Sequence, residues 1–152
     1  MFRVAFVLGG RRDAASRRLG ETNMKILLNA LLDIDVAWLR ATPTTPRIYA
    51  SGVRYRPEPL GSERWRDVPT VLMDGFGDCE DLACWRAAEL RVRDGIRATP
   101  AYTWRREPGF RVYHVVVRLP DGRIDDPSAR LGMHRRARPP AMSPVPIASG
   151  WE

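Results

Sequence analysis

From about Asn23 to Arg40 the apolar residues Met24, Leu27, Leu28, Leu31, Leu32, Val36 and Leu39 recur at the three-and-four spacing of one helical face. Thr22 or Asn23 can cap such a helix and Pro43 lies beyond its end, so the pattern predicts an amphipathic packing helix over 23–40. Upstream, RVAFVL at 3–8 reads as a short strand followed by a Gly9-Gly10 turn. Neither GxGxxG nor GxxxxGK[ST] follows it, so the glycine pair is not a phosphate loop. Pro43, Pro46, Pro57 and Pro59 hold 42–61 in extended, turn-rich chain, with Tyr49, Val53 and Tyr55 available for one short strand.

A second helix is expected from Asp78 to about Arg93. It follows the glycine-punctuated loop Met73-Asp74-Gly75-Phe76-Gly77 and closes at Gly95. Asp78 is its natural cap, and Glu80 and Asp81 complement the dipole of its first turn. Two β-rich runs come next, 97–105 and 111–119, and the second leads through Pro120-Asp121-Gly122 into Ile124-Asp125-Asp126-Pro127, a hairpin signal. From about Met133, four prolines exclude a regular element. The expected organisation is one domain over 1–132 with an extended tail over 133–152. Helices followed by strands give an α+β class, with a helix packed on an antiparallel sheet.

At 152 residues and 17.3 kDa the chain has room for one core, and 44% hydrophobic with 28% charged residues is a globular composition. No apolar run approaches the roughly 18 residues that cross a bilayer, and MFRVAFVLGG lacks the apolar region and cleavage site of a leader. The expectation is a chain with no membrane association, located in the cytoplasm. The net charge of +7 comes almost wholly from arginine, Lys25 being the sole lysine. The arginines are scattered along the chain, which favours a solvated basic surface over a nucleic-acid footprint.

Candidate chemistry rests on Cys79, His114 and Asp126. Taken singly, a cysteine is most often a small buried hydrophobe, a strand histidine a core residue, and an Asp before Pro a turn former. Taken together, a cysteine at a helix start can gain thiolate character from free backbone amides and the positive dipole end. Asp74, Asp78, Glu80 and Asp81 oppose this, since nearby negative charge raises a thiol pKa, and a positively charged partner such as a histidine is needed. Cys84 lies about 140° away around the helix and should be a buried structural thiol, whereas Cys79 shares its stripe with Ala83, Ala87 and Leu90 on the sheet-facing side. That separation also makes a zinc site from Cys79, Cys84, His114 and His134 improbable; no metal or other cofactor is expected.

Hairpin register selects the aspartate beside His114. A type I turn centred on Pro120 and Asp121, with Gly122 as the left-handed bulge residue, spares Pro120 a ladder position that needs an amide. Leu119 then pairs with Arg123, Val116 with Asp126 and His114 with Ser128. Asp126 shares the His114 face, and Asp125 points away. The alternative register reverses the two.

Cysteine at a helix start, histidine on a strand and a carboxylate on the adjoining strand form the nucleophile, base and orienter set of thiol acyl transfer. The segments Gly77-Asp78-Cys79-Glu80-Asp81, the His114 strand and Gly122-Arg123-Ile124-Asp125-Asp126-Pro127-Ser128 resemble, in that order, the signatures of the transglutaminase-like superfamily, relatives of papain-type cysteine peptidases. The stretch from Ser51 through Trp65 to the cysteine helix is also similar to small members of this superfamily encoded among tailed-phage structural genes. Glu80 and Val115 stand where the family often has aromatics, and the chain is far shorter than calcium-regulated animal transglutaminases.

The resemblance implies a transglutaminase-like or papain-like core and a reaction through a thioester. The expected activity is a cysteine peptidase or amidohydrolase acting on protein or peptide. Protein-glutamine transamidation is one alternative, and a non-catalytic virion-associated or nucleic-acid-binding structural protein is another. The Cys79 amide would supply one oxyanion donor, with the Trp65 indole as candidate for the second and Asp78 beside it. Phage structural proteins are candidate partners, which would place the chain in a host cytoplasm or virion. An acidic rim of Asp74, Glu80 and Asp81 would favour cationic substrates. Fast alkylation of Cys79 down to about pH 6, abolished in His114→Ala, is the signature expected of an activated thiol.

Overall fold

A computed structural model describes residues 14–59, 63–108 and 110–133. In chain order these form α1 (Ala14–Ala41), a single 3-10 turn (Ile48–Ala50), β1 (Arg54–Tyr55), α2 (Val68–Asp74), β2 (Phe76–Gly77), α3 (Cys79–Arg93), β3 (Thr99–Glu107), β4 (Phe110–Arg118), β5 (Ile124–Asp125) and α4 (Pro127–Arg130). The class is α+β: β3, β4 and β5 make an antiparallel sheet that packs against α3, and α1 covers the other side of that helix. The expected strand at 3–8 and the proline-rich tail beyond Met133 lie outside the described residues.

Because it is covered from both sides, α3 is buried around most of its circumference. Leu82, Ala83, Cys84, Trp85, Ala87 and Ala88 are all fully inaccessible. Leu28, Leu32 and Leu39 of α1 meet them with Val115 and Val117 of β4, forming one continuous core. Among the described residues, no helix is long and apolar enough to cross a membrane.

Two expectations change. Helix α1 starts at Ala14, upstream of the predicted cap at Asn23. Residues 14–22 carry no clear apolar stripe, yet Gly20 is buried and the turns before Asn23 continue the helix unbroken. Tyr49, Val53 and Tyr55 do not share a strand; Tyr49 falls in the 3-10 turn and Tyr55 in β1.

Short β1 pairs in parallel with β2, Arg54 opposite Phe76 and Tyr55 opposite Gly77. This pairing ties the proline-rich segment to the residues immediately before Cys79. Gly77 is required by space: a Cβ there would stand 3.0 Å from the Asp81 Cβ and 3.4 Å from Leu82 Cδ2.

The long hairpin has the favoured register. Gly122 is left-handed at φ 84°. Leu119 N donates to Arg123 O at 2.9 Å, and Arg118 and Val117 pair with Ile124 and Asp125. Strand pairing stops there. Pro127 cannot continue the ladder, so the chain turns into α4 and the expected pairing of His114 with Ser128 does not form. Asp125 faces away from His114, accepting from Tyr49 Oη at 2.7 Å and from Arg86 Nε at 2.8 Å. Arg86 also reaches Glu89 at 2.6 Å, so an ion-pair chain fastens the hairpin to α3.

Candidate active site

Cys79 is the first residue of α3, after the extended cap Asp78. Asp81 accepts from the Asp78 amide at 3.2 Å and completes a capping box, which fixes how the chain enters the helix. The partly buried thiol donates to Glu80 Oε2 at 3.3 Å. The backbone amide of Val115, the residue after His114, acts on the same sulfur to lower its pKa, and α3 packs against β4, the histidine strand.

His114 Nε2 and Asp126 Oδ2 are 2.9 Å apart, both groups partly buried. Asp126 is held from a second direction, its Oδ1 accepting from the Ala129 amide at 3.0 Å as the cap of α4. Burial acts to raise the Asp126 carboxyl, but the bond to His114 and the amides of Ala129 and Ser128 outweigh it and hold the group below the usual carboxylate range. With Nε2 committed to Asp126, Nδ1 is the ring nitrogen left for other chemistry.

The thiol departs from expectation. Burial first, then the negative charges of Glu80 and Asp78, push Cys79 well above an ordinary thiol, and the opposing Val115 amide does not compensate. These influences favour the neutral thiol, against the pull of the helix start toward thiolate. The dipole of the first turn is weaker than a carboxylate in hydrogen-bond contact.

The acidic rim is likewise corrected. Glu80 is only 6% exposed and Asp81 is fully buried, so neither presents charge to solvent. Asp74 is exposed but is paired with Arg66 Nε at 3.1 Å. Arg66, buried in the segment before α2, is the principal counter-charge: it reaches Glu58 at 2.6 Å and Asp81 at 3.3 Å, and its amide donates to Asp81 Oδ1 at 2.7 Å. Burial raises both Asp78 and Glu80; the charge of Glu80 raises Asp78 further, while the hydrogen bond with Asp78 lowers Glu80, so the pair retains a proton that isolated carboxyls would release.

Among the described residues, the oxygens of Asp78, Glu80 and Asp81, and of Glu58, Glu63 and Asp78, lie within 4.8 Å of one another. Such hard oxygen sets suit calcium or magnesium rather than zinc. Arg66 already neutralises part of this charge.

The comparisons find no matching family model, curated protein or solved structure.

The remaining predicted residues divide. Cys84 is fully buried and its Sγ donates to Leu28 O of α1 at 3.5 Å, as a structural thiol should. Trp65 is partly buried and packs against the core. His134 lies outside the described residues.

Tyr55 was missed. It is half-buried on β1, and burial first, then the negative charge that Cys79, Asp78, Glu80 and Asp126 carry when ionised, raises its hydroxyl. The sequence offered Tyr55 only as part of a short strand, and nothing local indicated what it faces.

Proposed function

We propose that the protein is a thiol-dependent amide-bond enzyme with a transglutaminase-like core, a cysteine peptidase or amidohydrolase acting on protein or peptide through a thioester. The observation that carries this reading is the 2.9 Å contact of Asp126 with Nε2 of His114, which lies on β4, the strand against which the cysteine helix packs. A structural histidine has no need of a carboxylate fixed from two sides, whereas a general base does.

In the proposed reaction His114 Nδ1 takes the thiol proton and sulfur attacks the amide carbonyl, forming a C–S bond and moving the π electrons onto oxygen. Collapse restores the carbonyl and breaks the C–N bond, and the departing amine takes the proton from His114. Water, activated by the same nitrogen, hydrolyses the thioester. Asp126 keeps the ring in the required tautomer and stabilises the imidazolium.

One observation favours a different reading. A neutral thiol bonded to Glu80 also suits a structural protein that performs no chemistry. Mass spectrometry of a mixed peptide library incubated with the protein separates the two. Cleavage products that vanish in Cys79→Ala and in His114→Ala support hydrolysis. Incorporation of an added primary amine at glutamine would make the enzyme a transamidase. An unchanged library, with Cys79 no more reactive than a thiol in unfolded chain, would overturn the enzymatic reading.

A further inference from the structure

We infer that the Tyr55 hydroxyl is the second hydrogen-bond donor to the oxyanion formed at Cys79, the role for which the sequence nominated Trp65. The inference rests on the thioester reading above and adds to it a residue that touches the reacting atoms.

The placement comes from backbone pairing. Strand β1 is held on both edges. Arg54 N donates to Gly75 O at 3.1 Å and Arg56 N to Gly77 O at 2.9 Å, which fixes one edge to the chain running into Cys79. On the other edge Tyr55 N donates to Leu131 O at 2.9 Å, immediately after α4, the helix that Asp126 caps. Tyr55 is thus clamped between the segment delivering the nucleophile and the segment delivering the orienter.

Its neighbours face outward. Arg54 and Arg56 are exposed, and Arg56 lies over the Phe76 ring at 3.7 Å, leaving Tyr55 as the inward side chain of the strand. Cys79 and Tyr55 pack against the same core. The groups that act on the phenol are Cys79, Asp78 and Glu80 at the helix start and Asp126 at the hairpin end.

The chemistry suits a donor that keeps its proton. Burial and these negative neighbours push the phenol up to about 12, so it remains un-ionised wherever the thiol reacts. As the carbonyl oxygen gains charge, the Tyr55 O–H donates a hydrogen bond without transferring its proton. The bond is released when the carbonyl reforms. A phenol two rotatable bonds from a doubly clamped backbone costs little reorganisation at that moment.

The test compares two reactions of one sulfur. Acylation of Cys79 by p-nitrophenyl acetate passes through an oxyanion, whereas alkylation by iodoacetamide is a direct displacement and does not. In Tyr55→Phe, acylation measured by p-nitrophenolate release should slow about 10²- to 10³-fold, while alkylation of Cys79 across pH stays within about threefold of wild type. Acylation of Tyr55→Phe at the wild-type rate would overturn the inference and leave the thioester reading standing. Equal losses in both reactions would also overturn it, by showing that the ring only supports the site. If wild-type protein is not acylated at Cys79, the thioester reading falls and this inference falls with it.

Discussion

Replacing Glu80 by glutamine should make Cys79 more reactive, not less. The thiol donates to Glu80 Oε2 at 3.3 Å, and Glu80, raised by burial to about 7, takes on its negative charge beside the sulfur as the pH passes through neutrality. At 3.3 Å and an effective dielectric of about 20, a full charge opposes the thiolate by about 5 kcal/mol. If that charge is shared evenly with Asp78, about half of it, some 2.5 kcal/mol, acts on the sulfur, and one pKa unit, about 1.4 kcal/mol, is a conservative expectation. Glutamine keeps the shape, removes the charge and can turn an amide hydrogen toward sulfur. The rate of iodoacetamide alkylation, followed by mass spectrometry against pH, should show the Cys79 profile shifted to lower pH by at least about one unit, a roughly 10-fold gain at pH 8. Cys84 is fully buried and serves as the unreactive internal reference. A profile that stays in place or moves to higher pH would refute the claim that Glu80 holds the thiol neutral.

Asp126→Asn should lower turnover by about 10²- to 10⁴-fold with little change in stability. Asp126 gives one oxygen to His114 and the other to the Ala129 amide. Asparagine has one acceptor oxygen and must present its amide hydrogens to Nε2, which enforces the wrong tautomer. Turnover within about threefold of wild type would contradict this. Asp35→Asn should flatten the pH dependence of folding. Asp35 is fully buried in α1, accepts from Val68 N at 2.9 Å and is raised by burial to about 8. The folded state therefore binds a proton that the unfolded chain releases near pH 4, so this contribution is fully present below pH 4 and is lost as pH rises toward 8. Denaturant unfolding should show the variant gaining on wild type by up to about 1.4 kcal/mol per pH unit over that window, and parallel curves would contradict the assignment.

What could be read without coordinates were the features set by local rules. The cysteine helix follows from its cap, its helix-forming composition and Gly95. The choice of Asp126 over Asp125 follows from one steric fact, that Pro120 cannot donate in a ladder, which sets the turn, the register and the facing of every residue beyond it. What escaped were features created by distant pairing. Strands β1 and β2 are two residues each, too short for any periodicity, and their partnership across some twenty residues is what carries Tyr55 to the site. Asp35 and Glu89 are carboxylates whose burial no local rule accounts for. Each is instead consumed by a backbone amide from another segment, Val68 for Asp35 and Ile48 for Glu89.

The thiol shows where local reasoning stops. Both opposing influences were visible in the sequence: a helix start that favours thiolate and a crowd of carboxylates that disfavours it. Their ranking depended on separation and burial. The dipole acts through partial charges spread over a turn, whereas Glu80 brings a carboxylate into direct contact in a region largely closed to water. Arg66 is committed to Glu58, Asp74 and Asp81, so it cannot neutralise Glu80 as well. In the proposed reaction the charge that activates the sulfur arises on His114, held by Asp126. This is why the histidine–aspartate pair, rather than the helix on which the cysteine lies, carries the case for chemistry here.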